Sequence, residues 1–278
     1  MLRQRVLTAI AIVVPVFLLI VFGSSRAFAL FALLVIAIGA WEWGRLVGFV
    51  SGVSRILYTL AIPALAGLLL LFWVQGGWST LHAWVLALAS LWWLGVLVGL
   101  LGYHPGLGDH GWGRFLLRVA GFFTLVPAAV ALVWLHVANP HWLLYLLVLV
   151  AAADTGAYFA GRRFGRTRLA PEISPGKTRE GVFGALMAVI LVATVAAWLF
   201  GLVPMDALLF VLLSVVVALV SVAGDLQESV LKREAGAKDS GTLLPGHGGV
   251  LDRVDSLTAA APVFVTGLLW ASLQPGGL

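Results

Sequence analysis

The sequence predicts an all-α polytopic membrane protein of about nine transmembrane helices. Three observations carry this. The chain is 62% hydrophobic and only 10% charged, with a mean hydropathy of +1.06, whereas soluble domains carry about a quarter charged residues. Its apolar residues fall into successive runs of the length that crosses a bilayer core, about 20 residues each. Its basic residues gather on alternate connections between those runs, as the positive-inside tendency requires. No soluble-looking block interrupts the series, so residues 1–278 read as one integral membrane domain.

In order, the runs cover about residues 6–22, 27–41, 56–74, 81–101, 115–136, 141–160, 181–203, 206–224 and 256–273. Only Gly23-Ser24-Ser25-Arg26 separates the first two, which form either a tight hairpin or one interfacial pair, so the count is eight or nine. Arg3, Arg5 and the run after them also resemble a signal peptide, with Ala27-Phe28-Ala29 as its cleavage site. The many spans that follow favour retention. With the N-terminus inside, 15 of the 17 basic residues fall on inner segments. These are Arg3 and Arg5, Arg45 and Arg55, Arg114, six in the loop 161–180 and four in the loop 225–255. That distribution supports nine spans and puts both charged loops in the cytosol, where nucleoside triphosphates are.

Composition also excludes. With no cysteine, disulfides, thiol catalysis and Cys-ligated zinc are ruled out. A net charge of +5 could suggest nucleic acid, but in a membrane chain a cationic surplus fits loops against anionic lipid headgroups, and no nucleic-acid partner is expected. Ten of the twelve acids lie between Asp154 and Asp255. Residues 1–140 therefore read mainly as scaffold spans and residues 141–278 as the catalytic half.

Three segments of that half carry candidate chemistry. Asp154-Thr155-Gly156-Ala157-Tyr158 places an acid among apolar residues near the inner end of the sixth span, a costly position and so a functional candidate, with an interhelical hydrogen bond as the plainer alternative. The loop 161–181 contains Ser174-Pro175-Gly176-Lys177-Thr178. Gly-Lys-Thr resembles a P-loop, yet Pro171 occupies the place of the required earlier glycine and no strand precedes it, so that reading fails. What remains is a Pro175-Gly176 turn, hydroxyl and backbone donors and a Lys just before a helix N-terminus, a combination that suits a phosphate. For Arg162, Arg163, Arg166 and Arg168 an ordinary positive-inside loop is the better account.

The third segment begins Gly224-Asp225, with Glu228, Ser229, Lys232 and Arg233 following. If the eighth helix runs past the membrane, Asp225, Glu228 or Ser229, and Lys232 share one face. The loop then supplies Lys238-Asp239-Ser240-Gly241 and Pro245-Gly246-His247-Gly248-Gly249, and four glycines between 241 and 249 let the backbone approach a ligand closely. Asp252-Arg253-Val254-Asp255 opens the last span. Either carboxylate alone could be capping a helix dipole. Together, Asp225, Asp252 and Asp255 stand at the ends of two successive spans and can converge on a hard cation such as Mg2+, held by one or two carboxylates plus substrate phosphates. Lys232, Arg233, Lys238 and Arg253 could neutralise those phosphates, which is what phosphoryl transfer asks of a protein. The chain has fourteen Arg and three Lys, and all three Lys (177, 232 and 238) lie in these segments.

These residues resemble the phosphatidate cytidylyltransferases. The match runs Ser229-x-Leu231-Lys232-Arg233-x4-Lys238-Asp239-x-Gly241-x2-Leu244-Pro245-x-His247-Gly248-Gly249-Val250-x-Asp252-Arg253-Val254-Asp255, and many fixed polar positions make it specific. Asp154–Tyr158, Ser174–Thr178 and Ala40-Trp41-Glu42-Trp43 resemble further family segments. Arg179, where an aromatic is expected, and Arg166, where Lys is usual, depart from the pattern. The resemblance implies that CTP and phosphatidic acid give CDP-diacylglycerol and pyrophosphate in phospholipid biosynthesis. It also implies an all-helical fold with a polar cavity open to the cytosol, Mg2+ with a second, monovalent cation such as K+, a homodimer, and the inner membrane of a bacterium with the active site facing the cytosol.

On that basis Asp225 and Asp252 are expected to hold the metal, with Asp255 as an additional or outer ligand. Lys232, Lys238, Arg233 and Arg253 would stabilise phosphate charge. Asp239 is a further catalytic candidate, Ser229, Gly248 and Gly249 would bind substrate, and Asp154, Ser174 and Lys177 would close the site from the other side. His247 either contacts the leaving group or shapes the Gly-rich turn. A relative acting on another lipid phosphate is the nearest alternative. A transporter is the alternative from another class, but it would be expected to show repeat symmetry across both halves.

Overall fold

The computed structural model describes residues 2–49, 51–244 and 246–273. Pro245 of the Gly-rich loop, and the side chains of Arg3 and Arg5, lie outside the described residues. Among those described, nine α-helices follow one another: α1 (Leu2–Phe22), α2 (Ser25–Leu46), α3 (Gly52–Gly76), α4 (Thr80–Leu101), α5 (Gly111–Ala138), α6 (Pro140–Phe164), α7 (Arg179–Leu199), α8 (Pro204–Glu234) and α9 (Leu251–Trp270). A 3-10 turn, Leu107–Asp109, precedes α5, and strands β1 (Arg168–Ala170) and β2 (Ser174–Thr178) lie between α6 and α7. The chain is an all-α polytopic membrane protein. Seven helices, α2 to α8, are long and apolar enough to cross a membrane. By the same measure α1 falls short because its described apolar part is only Ile10–Phe22. Helix α9 spends part of its first turn on Asp252, Arg253 and Asp255.

Local chemistry sets the boundaries. Gly23 and Ser24 break the first apolar stretch into two helices, and the Ser24 hydroxyl accepts from the Ala27 amide at 3.2 Å as a cap on α2. Helix α7 ends four residues before the expected 203. Gly201 takes φ +64°, the Leu202 amide returns to the Ala197 carbonyl at 3.0 Å, and Pro204 opens α8. Helix α8 runs ten residues past the expected 224 and carries Asp225 to Arg233 out of the apolar zone as helix. It stops at Gly236 (φ +61°), where the Ala237 amide bonds the Lys232 carbonyl at 2.8 Å.

The loop 165–178 differs from the sequence expectation. Pro175 and Gly176 are not a turn but lie within β2, and the reversal is made by residues 171–173. Proline fits here because β2 belongs to a two-stranded hairpin, leaving ladder positions where no amide is needed. The register pairs Arg168 with Thr178 and Ala170 with Ser174, with an irregularity between them. The hairpin tip is packed down by Ile173, which is buried with Leu226 and Val230 of α8.

Helix α5 is the spine. Thr124 to Ala131 are buried without a break, and α9 is buried nearly as completely from Thr258 to Val265. Polar side chains tie the bundle where lipid offers no partner: the Thr124 hydroxyl donates to Gln227 at 3.1 Å, and Tyr145 and Ser214 meet at 2.6 Å. Because successive helices run up and down, the connections 47–51, 102–110, 165–178 and 235–250 all gather at one end of the bundle. Glu234 closes part of that end by accepting from the Gly106 and Gly108 amides at 3.1 and 2.6 Å and from the Tyr103 hydroxyl. Burial, then the Glu234 carboxylate, pushes that hydroxyl above its ordinary pKa and keeps it a donor.

Helices α6 and α7 make the most extensive pairing in the bundle. At Gly184 a Cβ would sit 2.2 Å from the Ala160 Cβ, and at Gly156 one would sit 2.5 Å from the Gly184 carbonyl oxygen. Small residues let the two backbones touch. Gly184→Val should destabilise the fold by about 1–3 kcal/mol through overpacking, read as a lower thermal unfolding midpoint of the purified protein in detergent.

Candidate active site

Helices α8 and α9 cross at Gly224, where a Cβ would lie 2.6 Å from the Asp255 carbonyl oxygen and 2.9 Å from the Ala259 Cβ. Only glycine permits that approach, and it brings the acids after Gly224 beside those that open α9. Asp225 interacts electrostatically with Asp255 and with Asp154 of α6. Lys177, near the end of β2, places Nζ 2.6 Å from Asp225 Oδ2. Two turns further along α8, Lys232 Nζ lies 2.8 Å from Asp252 Oδ1 and 3.1 Å from Glu228 Oε2. The helical face expected for Asp225, Glu228 or Ser229, and Lys232 therefore exists, and Ser229 Oγ lies 3.4 Å from Asp225 Oδ1.

Five carboxyl groups from α6, α8 and α9 thus share a small volume with two ammonium groups. The Glu228 carboxyl stands against that of Asp255, and among the described residues its buried Oε1 meets no N–H or hydroxyl donor. Adjacent carboxyls need a proton or a cation between them. The donor set is all hard oxygen and suits Mg2+ rather than a soft metal. Among the described residues, no group of three or more His, Cys, Asp or Glu side chains forms a ready-made metal cage.

Asp252 is held from several sides. Its Oδ1 accepts from Lys232, and its Oδ2 accepts from the Ser240 amide, the Ser240 hydroxyl and the Gly249 amide, each at 2.8 Å. The loop 239–249 is thereby folded over the start of α9. A cleft of about 680 Å³ opens beside it, lined by Lys238, Asp239, His247, Gly248 and Arg253 among others. Gly248 (φ +83°) separates the cleft from Asp252, and a Cβ there would lie 2.6 Å from Asp252 Oδ2. His247 lines the cleft with a buried Nδ1 that has no hydrogen-bond partner among the described residues. Arg253 Nε donates to the His247 carbonyl at 3.1 Å and stiffens the same turn.

Two sequence candidates stand apart from the carboxyls. Arg233 points to the hairpin, with Nε donating to the Ile173 carbonyl at 3.1 Å. Ser174 pairs with Ala170 at the tip end of the hairpin, three residues from Lys177, or about 10 Å along a strand. The residue missing from the candidate set is Glu42, buried near the end of α2. It accepts from Ser240 Oγ at 2.9 Å and from the Val250 and Leu251 amides at 3.0 and 2.8 Å. One turn on, Arg45 donates to the Asp239 and Ser240 carbonyls. A signal for Glu42 was present: it is one of two acids outside the stretch 154–255, set at the end of an apolar run.

Over residues 3–270 the chain matches the model of the Cytidylyltransferase family. A phosphatidate cytidylyltransferase of Pseudomonas aeruginosa is 44% identical over 276 residues, which is 98% of each chain. One from Haemophilus influenzae is 36% identical, with 95% of this chain and 97% of the relative covered. One from Bacillus subtilis is 30% identical, covering 94% and 95%.

The Lys232 ammonium separates Glu228 from Asp252. Lys232→Met removes the cation these two carboxylates share and leaves Glu228 without its ion pair while Asp252 keeps its Ser240 and Gly249 donors, a loss of about 3 kcal/mol. The thermal midpoint in detergent should fall accordingly, and a variant as stable as the unaltered protein would refute the pairing.

Proposed function

The chain belongs to the cytidylyltransferase family, and we propose that its reaction is run by the carboxyl and ammonium groups that α6, α8, α9 and the hairpin bring together. The chain transfers the cytidylyl group of CTP to phosphatidate, giving CDP-diacylglycerol and pyrophosphate, a step of phospholipid biosynthesis. The observation that carries the placement is the pair of lysine bridges, Lys177 to Asp225 and Lys232 to Asp252, lying beside a cleft with three further cationic or polar side chains, Lys238, His247 and Arg253.

In this reading a phosphate oxygen of phosphatidate attacks the α-phosphorus of CTP, and the bond to pyrophosphate breaks. A phosphate monoester is already anionic near neutral pH, so the protein need not supply a strong base. Its task is to position two polyanions and offset their charge. Lys238 and Arg253 on the cleft wall offset triphosphate charge, and His247 Nδ1 is free to contact the departing pyrophosphate. Asp239 lines the same wall, and Gly248 and Gly249 keep the loop backbone against Asp252. Lys177 and Lys232 offset the lipid phosphate from the carboxyl side. Asp154 interacts electrostatically with Lys177 and Asp225 and completes the site from α6.

Asp225 and Asp252, with Asp255 as an additional ligand, are the residues we assign to Mg2+. Bound there, the ion would neutralise charge on the reacting phosphates. A second, monovalent cation such as K+ belongs to the same reading and rests on the resemblance alone. The basic residues concentrated at the charged end support an active site that faces the cytosol in a bacterial inner membrane. A homodimer belongs to the same reading and rests on the resemblance alone.

Purified protein incubated with radiolabelled CTP, Mg2+ and phosphatidate should move label into the lipid phase. Asp252→Asn should abolish that transfer while leaving membrane insertion intact, and full activity in the variant would sink the assignment of Asp252. Chelation of divalent cations should stop the unaltered protein, and added Mg2+ should restore it. Activity that survives chelation would overturn the metal assignment.

A further inference from the structure

Glu42 lies outside every chemical segment of the second half, yet both ends of the loop 239–252 converge on it. Its Oε1 accepts from the Val250 amide, and its Oε2 accepts from the Leu251 amide and the Ser240 hydroxyl. Two glycines of the loop exist because of it. A Cβ at Gly241 would lie 2.2 Å from Glu42 Oε1, and one at Gly249 would lie 2.4 Å from Oε2. The positive-φ pair Gly246 and Gly248 answers to backbone conformation instead, at +76° and +83°.

The contact reaches the reacting groups through one hydroxyl. Ser240 Oγ lies 2.9 Å from Glu42 Oε2 and 2.8 Å from Asp252 Oδ2, and it accepts from the Asp252 amide at 3.2 Å. Its single proton can serve only one carboxylate at a time. When Asp252 turns toward a ligand, the hydroxyl keeps a partner in Glu42 and the loop stays in place. Val250 at the helix start has no side-chain cap of its own, so Glu42 also supplies the missing acceptor for the first amides of α9.

We propose that Glu42 is a positioning residue for the transfer reaction: through Ser240 and the start of α9 it holds the loop 239–252, and with it Asp252 and the wall of the cleft, in the geometry that receives the nucleotide. This rests on the functional reading above, with the cleft as the nucleotide's seat. Glutamine is not equivalent here, because both carboxylate oxygens accept and an amide would turn N–H groups toward other donors.

The test is steady-state kinetics on purified protein, varying CTP and phosphatidate separately and counting folded molecules by thermal unfolding. Glu42→Gln should lower kcat/KM for CTP by roughly 10- to 100-fold, the equivalent of one hydrogen bond to a charged group, with KM for phosphatidate unchanged. Glu42→Asp, which keeps both oxygens at a shorter reach, should fall between Gln and the unaltered protein. Ser240→Ala removes one of three donors and should show a smaller loss of the same kind, so it decides the matter if the Glu42 variants do not fold. Unchanged CTP kinetics per folded molecule would overturn the proposal, as would an equal rise in KM for both substrates. An unaltered protein that transfers nothing from CTP would overturn the functional reading instead.

Discussion

The charged end of this protein depends on one constraint: carboxyl groups cannot be gathered in a low-dielectric bundle unless each is answered by a donor or a cation. Lys232 is the clearest answer, since its ammonium touches Glu228 on its own helix and Asp252 at the start of the next. The same constraint explains why Lys177 is carried to Asp225 on a hairpin and not left at the end of a mobile loop. It also explains why the loop 239–249 is glycine-rich: its amides must approach carboxylates closely, and a side chain at 248 or 249 would occupy the oxygen positions. Fold and proposed chemistry meet in these contacts, because the groups that stabilise the ends of α8 and α9 are those we assign to phosphate.

Much of this was legible in the residues. Long apolar runs separated by basic connections gave nine helices, and α8 emerged past the membrane zone with Asp225, Glu228 and Lys232 on one face. The hairpin was not legible. Ser174-Pro175-Gly176-Lys177-Thr178 has the composition of a turn, and only tertiary contacts, Ile173 packed under α8 and Thr167 receiving the Arg179 amide on its carbonyl, hold it extended. The orientation of Arg233 was equally hidden, since a basic residue beside Lys232 gives no sign that it will face the Ile173 carbonyl.

Glu42 and Arg45 show the deeper reason why part of the site escaped. Their role depends on the docking of α2 against the loop about 200 residues later in the chain, and periodicity within either segment carries no trace of that docking. Dividing the chain into a scaffold half and a catalytic half therefore understates the first half. Its second helix supplies the acceptor and the donor that clamp the loop from both sides.

The central claim is that the groups at the charged end direct attack on the α-phosphorus of CTP. The most direct measurement compares CTP labelled at the α-phosphate with CTP labelled at the γ-phosphate, each incubated with the purified protein, Mg2+ and phosphatidate. The account predicts that the α-label enters the lipid phase while the γ-label stays in water as pyrophosphate. Transfer of the γ-label to lipid, or transfer of neither, would contradict it.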